Sequence, residues 1–156
     1  MSITKGQNAP NFKLFNQDKK EIELAGLKGK NVVLLFFPFA FSGTCTKELC
    51  SVRDNIATYN GLDAVVLGIS IDSVFTQAAY KKEQNLNFDL LSDFNKTVSE
   101  MYGSIYETFI LGTKGVTKRS AFVVDKNGIV RYAEVLENAS EIPNFENINA
   151  TLQALK

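Results

Sequence analysis

Both cysteines of the chain lie in one short stretch, FFPFAFSGTCTKELC (36–50), at positions 45 and 50, and the sequence contains no histidine. Two thiols so placed could be core residues, a metal clip, a structural disulfide or a working redox pair. Zinc normally takes four ligands from Cys, His and carboxylate, so a metal clip is short of ligands, and no metal or other cofactor is expected. The opening residues, MSITKGQNAPNFKLF, lack the apolar core of a signal peptide, and no apolar run approaches the ~20 residues of a membrane span. The expected location is therefore cytoplasmic, where reducing pools disfavour a permanent disulfide. Core filler and redox chemistry remain.

The 156 residues carry 17 basic and 17 acidic side chains, so nothing predicts an electrostatic footprint for nucleic acid or an anionic membrane. No repeat or Pro/Ser-rich linker divides the sequence, and residues 1–156 read as a single domain.

The elements that must position the thiols follow from hydrophobic periodicity. NFKLF and EIEL flank a polar NQDKK and read as a hairpin. NVVLLFF is a nearly continuous apolar run, suited to a strand buried on both faces. From Cys45 to about Tyr59 the period becomes helical, with Leu49, Val52, Ile56 and Tyr59 on one stripe. AVVLGISI is a second buried strand, and SVFTQAAYKKEQ is a helix capped by Ser73. FDLLSD is a short strand, NKTVSEMYG a helix ending at Gly103, and SAFVVD and IVRYAEV a hairpin around KNG. Phe145, Ile148, Leu152 and Leu155 mark a last amphipathic helix. Buried strands alternating with helices imply parallel crossovers, and the late hairpin adds antiparallel strands. The expected fold is α/β and thioredoxin-like: a mixed central sheet with helices on both faces and an N-terminal β-hairpin extension.

In such a sheet, sites lie beyond the carboxyl ends of the strands, where helix N-termini converge. The central strand ends near Phe37 and the helix is expected to begin shortly after Cys45. Unpaired backbone N–H groups and the helix dipole favour an anion there, and a thiolate is one. Ser42 lies three residues earlier, close enough for its hydroxyl to reach the backbone or sulfur of Cys45, or to cap the helix. Pro38 closes the strand without offering an N–H. Arg119, one of three arginines, immediately precedes the strand SAFVVD and could sit beside the helix N-terminus. Without histidine, arginine plus helix dipole is the expected way to activate this thiol.

The run PFAFSGTC (38–45) resembles the P-x-x-x-(T/S)-x-x-C motif of peroxiredoxins, the thiol peroxidases of the thioredoxin superfamily. KRSAFVVDKNGIVRY, with Arg119, is similar to their second motif, and GQNAPNFKL, LGISIDS and LLSDFNKTVSEMYG follow in family order. The resemblance implies that Cys45 is the peroxidatic nucleophile, that Ser42 and Arg119 hold peroxide and thiolate, and that Pro38 shields the pocket. Ser stands at position 42 where Thr is commoner, which keeps the hydroxyl and loses a methyl. Cys50 matches the resolving cysteine of the PrxQ, or bacterioferritin-comigratory, group. FFPFAFSGTCTKEL and YGSIYETFILGTKGVTKRS resemble instead the AhpE-like group, whose archetype lacks that partner.

On an intact helix, residues five apart are separated by ~7.5 Å of rise and ~140° of rotation. That exceeds the ~7 Å Cα separation an undistorted disulfide tolerates. Cys45 shares a side with Leu49 and Val52; Cys50 groups with Arg53, Asp54 and Ala57. A Cys45–Cys50 disulfide therefore requires the helix to open. The expected partners are a peroxide substrate and a thioredoxin-like, glutaredoxin-like or small-thiol reductant. Phe36, Phe37, Phe39 and Phe41 read mostly as core and pocket wall, with part available for a homodimer contact. The rivals are a thiol–disulfide oxidoreductase, which would carry C-x-x-C rather than C-x-x-x-x-C, and a non-catalytic redox sensor.

Overall fold

The structure, a computed structural model, describes residues 3–156; Met1 and Ser2 of the expected 1–156 domain lie outside them. Seven strands form one mixed sheet in the order β2-β1-β5-β4-β3-β6-β7. Its centre is β3 (Asn31–Phe36), every residue of which is buried. β3 runs parallel to β4 (Ala64–Ser70), which runs parallel to β5 (Asp89–Ser92). β6 (Arg119–Val124) lies antiparallel to β3, and β7 (Val130–Leu136) antiparallel to β6, so the late hairpin forms as its turn residues dictate. The N-terminal hairpin, β1 (Lys13–Asn16) and β2 (Glu21–Glu23), joins the opposite edge through β1 and β5.

Alternation along β3 divides the core. Val33 and Leu35, with Phe37 just beyond the strand, point to one face, where they meet Leu49 and Val52 of α1 (Gly43–Asp54), Tyr80 of α3 (Val74–Gln84) and Ile148 and Leu152 of α5 (Phe145–Ala154). Val32, Leu34 and Phe36 point to the other, where they meet Phe12, Leu24, Phe122 and, from α4 (Thr97–Met101) and its C-terminal cap, Val98 and Tyr102. A period of two in the strand and 3.6 in the helices produces both layers. Ser73 caps α3, its hydroxyl accepting from Thr76 N–H at 3.1 Å.

The expected single helix from Cys45 to Tyr59 is instead two. α1 already starts at Gly43, and the chain breaks at Asn55 (φ −116°, ψ 18°) before α2 (Ile56–Gly61). Asn55 turns its amide back onto the Ser51 carbonyl at 2.8 Å, the local competition with helix continuation expected of an asparagine. The apolar stripe survives the break: Leu49, Val52 and Tyr59 are buried and Ile56 is half-buried.

At Gly68 on β4 an added Cβ would lie 2.7 Å from Leu90 Cδ2 and 3.3 Å from Phe37 Cε1. The glycine admits the ring that immediately precedes Pro38. Among the described residues, no helix is long and apolar enough to cross a membrane.

Candidate active site

Phe37 N–H still bonds to the Ile69 carbonyl at 2.9 Å, but Pro38 has no N–H and ends the ladder. The chain then leaves the sheet through a short loop. Asp72, beyond the end of β4, secures that loop by accepting from Ala40 N–H and Ser70 Oγ, both at 2.8 Å. Phe41 takes a left-handed φ of +71°, rare for an aromatic residue, which turns its ring outward against Tyr80 at 4.9 Å between centroids. Phe36 and Phe37 are core as expected and Phe39 lines the pocket, but Phe41 is about half exposed, because that backbone turn takes it off the pocket wall.

Cys45 is the third residue of α1, not the residue before it, and is fully buried. Residues 43 to 45 therefore contribute the first-turn N–H groups that no helical carbonyl can satisfy. Ser42 occupies the N-cap position, and its carbonyl accepts from Thr46 N–H at 3.0 Å. Its hydroxyl neither caps the helix nor bonds to Cys45. It donates to the Phe39 carbonyl at 2.8 Å, because the loop folds back beneath it. The first turn is thus left without a side-chain cap, and its N–H groups can face a bound oxygen.

Arg119 reaches this point by register. Phe36 pairs with Ser120, so the first residue of β6 falls level with the end of β3. Its guanidinium is buried and divided among three partners. Nη2 donates to Cys45 Sγ at 3.2 Å, and Nη1 meets Glu48 Oε1 at 2.6 Å. Nε and Nη2 both donate to the Ala139 carbonyl, at 3.2 and 3.0 Å. These contacts use four of the five guanidinium N–H groups and leave one on Nη1 for a further acceptor. Burial works against the Arg119 charge, but the neighbouring Cys45 and Glu48 outweigh it and hold the cation more firmly protonated than usual. Burial pushes Glu48 up to about 7, against the pull of Arg119 and with a smaller push from Glu134.

Glu48 and the Ala139 carbonyl lie outside the residues that the sequence motifs single out. Glu48 carried a usable signal: it lies one turn after Cys45 and beside Leu49 in the apolar stripe, where an acid must find a cation. The Ala139 carbonyl carried none, since a backbone acceptor in a loop has no sequence signature.

A cavity of roughly 440 Å³ opens onto this cluster, lined by Pro38, Phe39, Ser42, Tyr106, Phe109 and Arg119 among others. Pro38 is buried in its wall. Tyr106 and Phe109 stack at 4.5 Å with an 18° interplanar angle, and Phe39 lies 6.2 Å from Phe109, giving one side an aromatic surface.

The residues from Phe37 to Cys45 and Arg119 sit in a stretch with known relatives: residues 5–133 match the AhpC/TSA family. The chain belongs to that family. Peroxiredoxin bcp of Coxiella burnetii is 41% identical over 132 residues, covering 83% of this chain and 87% of the relative. Alkyl hydroperoxide reductase E of Mycobacterium tuberculosis is 38% identical over 133 residues, covering 83% and 84%. Among solved structures, peroxidoxin BcpB of M. tuberculosis superposes with a TM-score of 0.87 at 30% identity, covering 99% of both chains. A peroxiredoxin-like protein from Aquifex aeolicus gives 0.90 at 25% identity, covering 100% and 90%. The chain is thus a peroxiredoxin, a thiol-dependent peroxidase with the thioredoxin-like fold expected from its sequence.

Cys50 stands apart from the cluster. Both thiols are free, and α1 is wound continuously across them. Cys50 is half-buried on the α3 side of the helix, its Sγ 3.5 Å from Gln84 Oε1. Arg53 Nη1 donates to the Gln84 carbonyl at 2.6 Å, and Asn87 Nδ2 donates to the Arg53 carbonyl at 3.1 Å. At the other end of α1, Thr46 Oγ1 meets the Tyr80 hydroxyl at 2.9 Å. These polar contacts tie both ends of the helix to α3 and the loop that follows it.

Proposed function

We propose that Cys45 is the peroxidatic nucleophile and that the protein reduces hydrogen peroxide and organic hydroperoxides. The observation that carries this reading is the 3.2 Å contact between Cys45 Sγ and the buried guanidinium of Arg119, which lines a pocket open to small molecules. The thiolate attacks the terminal peroxide oxygen; an S–O bond forms and the O–O bond breaks. The departing oxygen leaves with the electron pair and takes up a proton to become water or an alcohol, while Cys45 becomes a sulfenic acid. The free N–H of Arg119 and the uncapped first-turn N–H groups stabilise the negative charge as it moves to the leaving oxygen. Pro38 excludes water, and Ser42 shapes the floor by fixing the Phe39 carbonyl.

Cys50 then resolves the sulfenic acid. When the first turns of α1 open, its thiol attacks Cys45 Sγ, a disulfide forms and water leaves. A thioredoxin-like, glutaredoxin-like or small-thiol reductant returns both thiols. Family membership and the absence of a long apolar helix among the described residues support a cytoplasmic enzyme. One sheet with two continuous apolar layers supports reading the chain as one domain. Phe41, Phe75 and Phe94 are exposed in the segments that follow β3, β4 and β5, which supports self-association as a homodimer through that edge. Sedimentation of the reduced protein tests the dimer.

Stoichiometric peroxide consumption by reduced protein, abolished by Cys45→Ser, tests the nucleophile. Mass spectrometry after one peroxide equivalent tests resolution. A product about two mass units lighter than the reduced chain is the internal disulfide, whereas a lasting sulfenate removes Cys50 from the cycle.

A further inference from the structure

Glu48 is fully buried in surroundings that do not suit a permanent charge. Oε1 accepts from Arg119 Nη1 at 2.6 Å, but Oε2, equally shut off from solvent, has no hydrogen-bond partner among the described residues. A buried carboxylate oxygen without a donor is costly. Cys45, one turn earlier on the same helix, takes the other arm of the same guanidinium. Two groups able to carry negative charge therefore share one cation inside the protein.

With both ionised, the trio has a net negative charge. With a proton on Oε2, it is neutral when Cys45 is a thiolate. Glu48 keeps one hydrogen bond to Arg119 through Oε1, and the guanidinium charge is left to the sulfur and to a peroxide oxygen. The other ionisable groups around Glu48 do not relieve it. Glu134 on β7, hydrogen-bonded by the Tyr132 hydroxyl, adds a negative neighbour. Tyr59 of α2 and Tyr80 of α3, each pushed up to about 12 chiefly by burial, stay neutral. α5 presents the apolar Ile148 and Leu152 to this layer. Arg119 is the cation that faces Glu48.

We propose that Glu48 is a positioning residue that acts as a charge switch on Arg119. Protonated, it holds the guanidinium in place and leaves its charge to Cys45 and the peroxide; ionised, it draws that charge away and slows the attack. Burial puts its titration at about 7, so the switch operates around neutral pH. The proposal rests on Cys45 being the peroxidatic thiol.

The test is the rate of the first oxidation of reduced protein, followed by competition with a peroxide-consuming reporter enzyme, so that neither Cys50 nor a reductant enters. Wild type and Glu48→Gln are compared from about pH 6 to 9. Glutamine keeps the carbonyl acceptor and the volume and cannot ionise. The expected result is a wild-type profile that loses rate above neutrality relative to Glu48→Gln. The two rates meet at the acid end and differ on the order of threefold or more at the alkaline end. Glu48→Ala, which frees the guanidinium, is slower throughout. Superimposable wild-type and Glu48→Gln profiles overturn the switch, as does a Glu48→Gln rate as low as that of Glu48→Ala at every pH.

If Glu48→Gln does not fold, carbon-13 detection of the Glu48 carboxyl in the reduced wild-type protein decides. A midpoint above about 6 supports the switch, and an ordinary carboxylate midpoint overturns it. Peroxide consumption that survives Cys45→Ser overturns the thiol assignment and the switch together, whereas the other failures leave the nucleophile standing.

Discussion

The two thiols of α1 share a helix and little else. Cys45, in the first turn, is fully buried, packs against β3 and is touched by a guanidinium that also holds a buried acid. Cys50, five residues on, is half-buried beside α3, with one weak contact to Gln84. One thiol is set where charge can be stabilised without any movement; the other is set where only movement gives it a partner. On the proposed reading, reactivity is therefore local to Cys45, while resolution by Cys50 depends on how readily the helix lets go.

The largest effects break this contrast outright. Cys45→Ser abolishes rapid peroxide consumption, measured by the disappearance of one equivalent. Cys50→Ser still consumes that equivalent but yields no internal disulfide, and intact mass shows a sulfenate that a second equivalent drives up the oxidation ladder. Should both variants consume peroxide equally and form no disulfide, the distinction between the thiols collapses.

Next in size is Arg119→Ala, which attacks the Cys45 side alone. Its first oxidation slows on the order of 10²–10³-fold, as when a donor to a developing oxyanion is removed. Chemical denaturation shows a loss of about 3 kcal/mol or more, because Glu48 is left buried without its cation.

The acid itself gives a pH signature. The raised Glu48 binds a proton in the folded state that the unfolded chain, titrating near 4.5, has already released. Stability consequently falls as pH rises from about 4.5 to about 7 and levels off above, by on the order of 3 kcal/mol at most. Denaturation across that window shows the slope in wild type and its loss in Glu48→Gln.

Smallest is the effect that sharpens the Cys50 side. Arg53→Ala removes the bond to the Gln84 carbonyl that ties the end of α1 to α3. It speeds disulfide formation by roughly two- to fivefold, read by quenched mass spectrometry. A variant that instead slows disulfide formation shows that the tie helps resolution.

Sequence legibility followed the same division. Strand β3, the late hairpin and the final helix were readable because long apolar runs, a KNG turn and 3.6-residue spacing each admit one reading. The meeting of Cys45 and Arg119 was readable because a thiol at a strand-to-helix junction is stabilised as an anion by a cation, and no histidine competes for the place. The break at Asn55 was hidden because the apolar stripe continues across it. The direction of the Ser42 hydroxyl was hidden because a serine at an N-cap normally turns inward, and here a tight loop offers it the Phe39 carbonyl instead. Which of the four phenylalanines faces outward was hidden, because the left-handed backbone that turns Phe41 out leaves no mark in residue type.

Gly68 sits on a strand outside the pocket, yet Leu90 and the ring of Phe37 crowd the place where its side chain would be. A methyl group there would collide with Leu90 and press on Phe37, the residue next to Pro38, and so on the loop that leads to Cys45. The chemistry thus depends on a vacancy in the neighbouring strand as well as on the groups that touch substrate. Anyone repacking this core for greater stability would be retuning the enzyme, with no residue of its pocket changed.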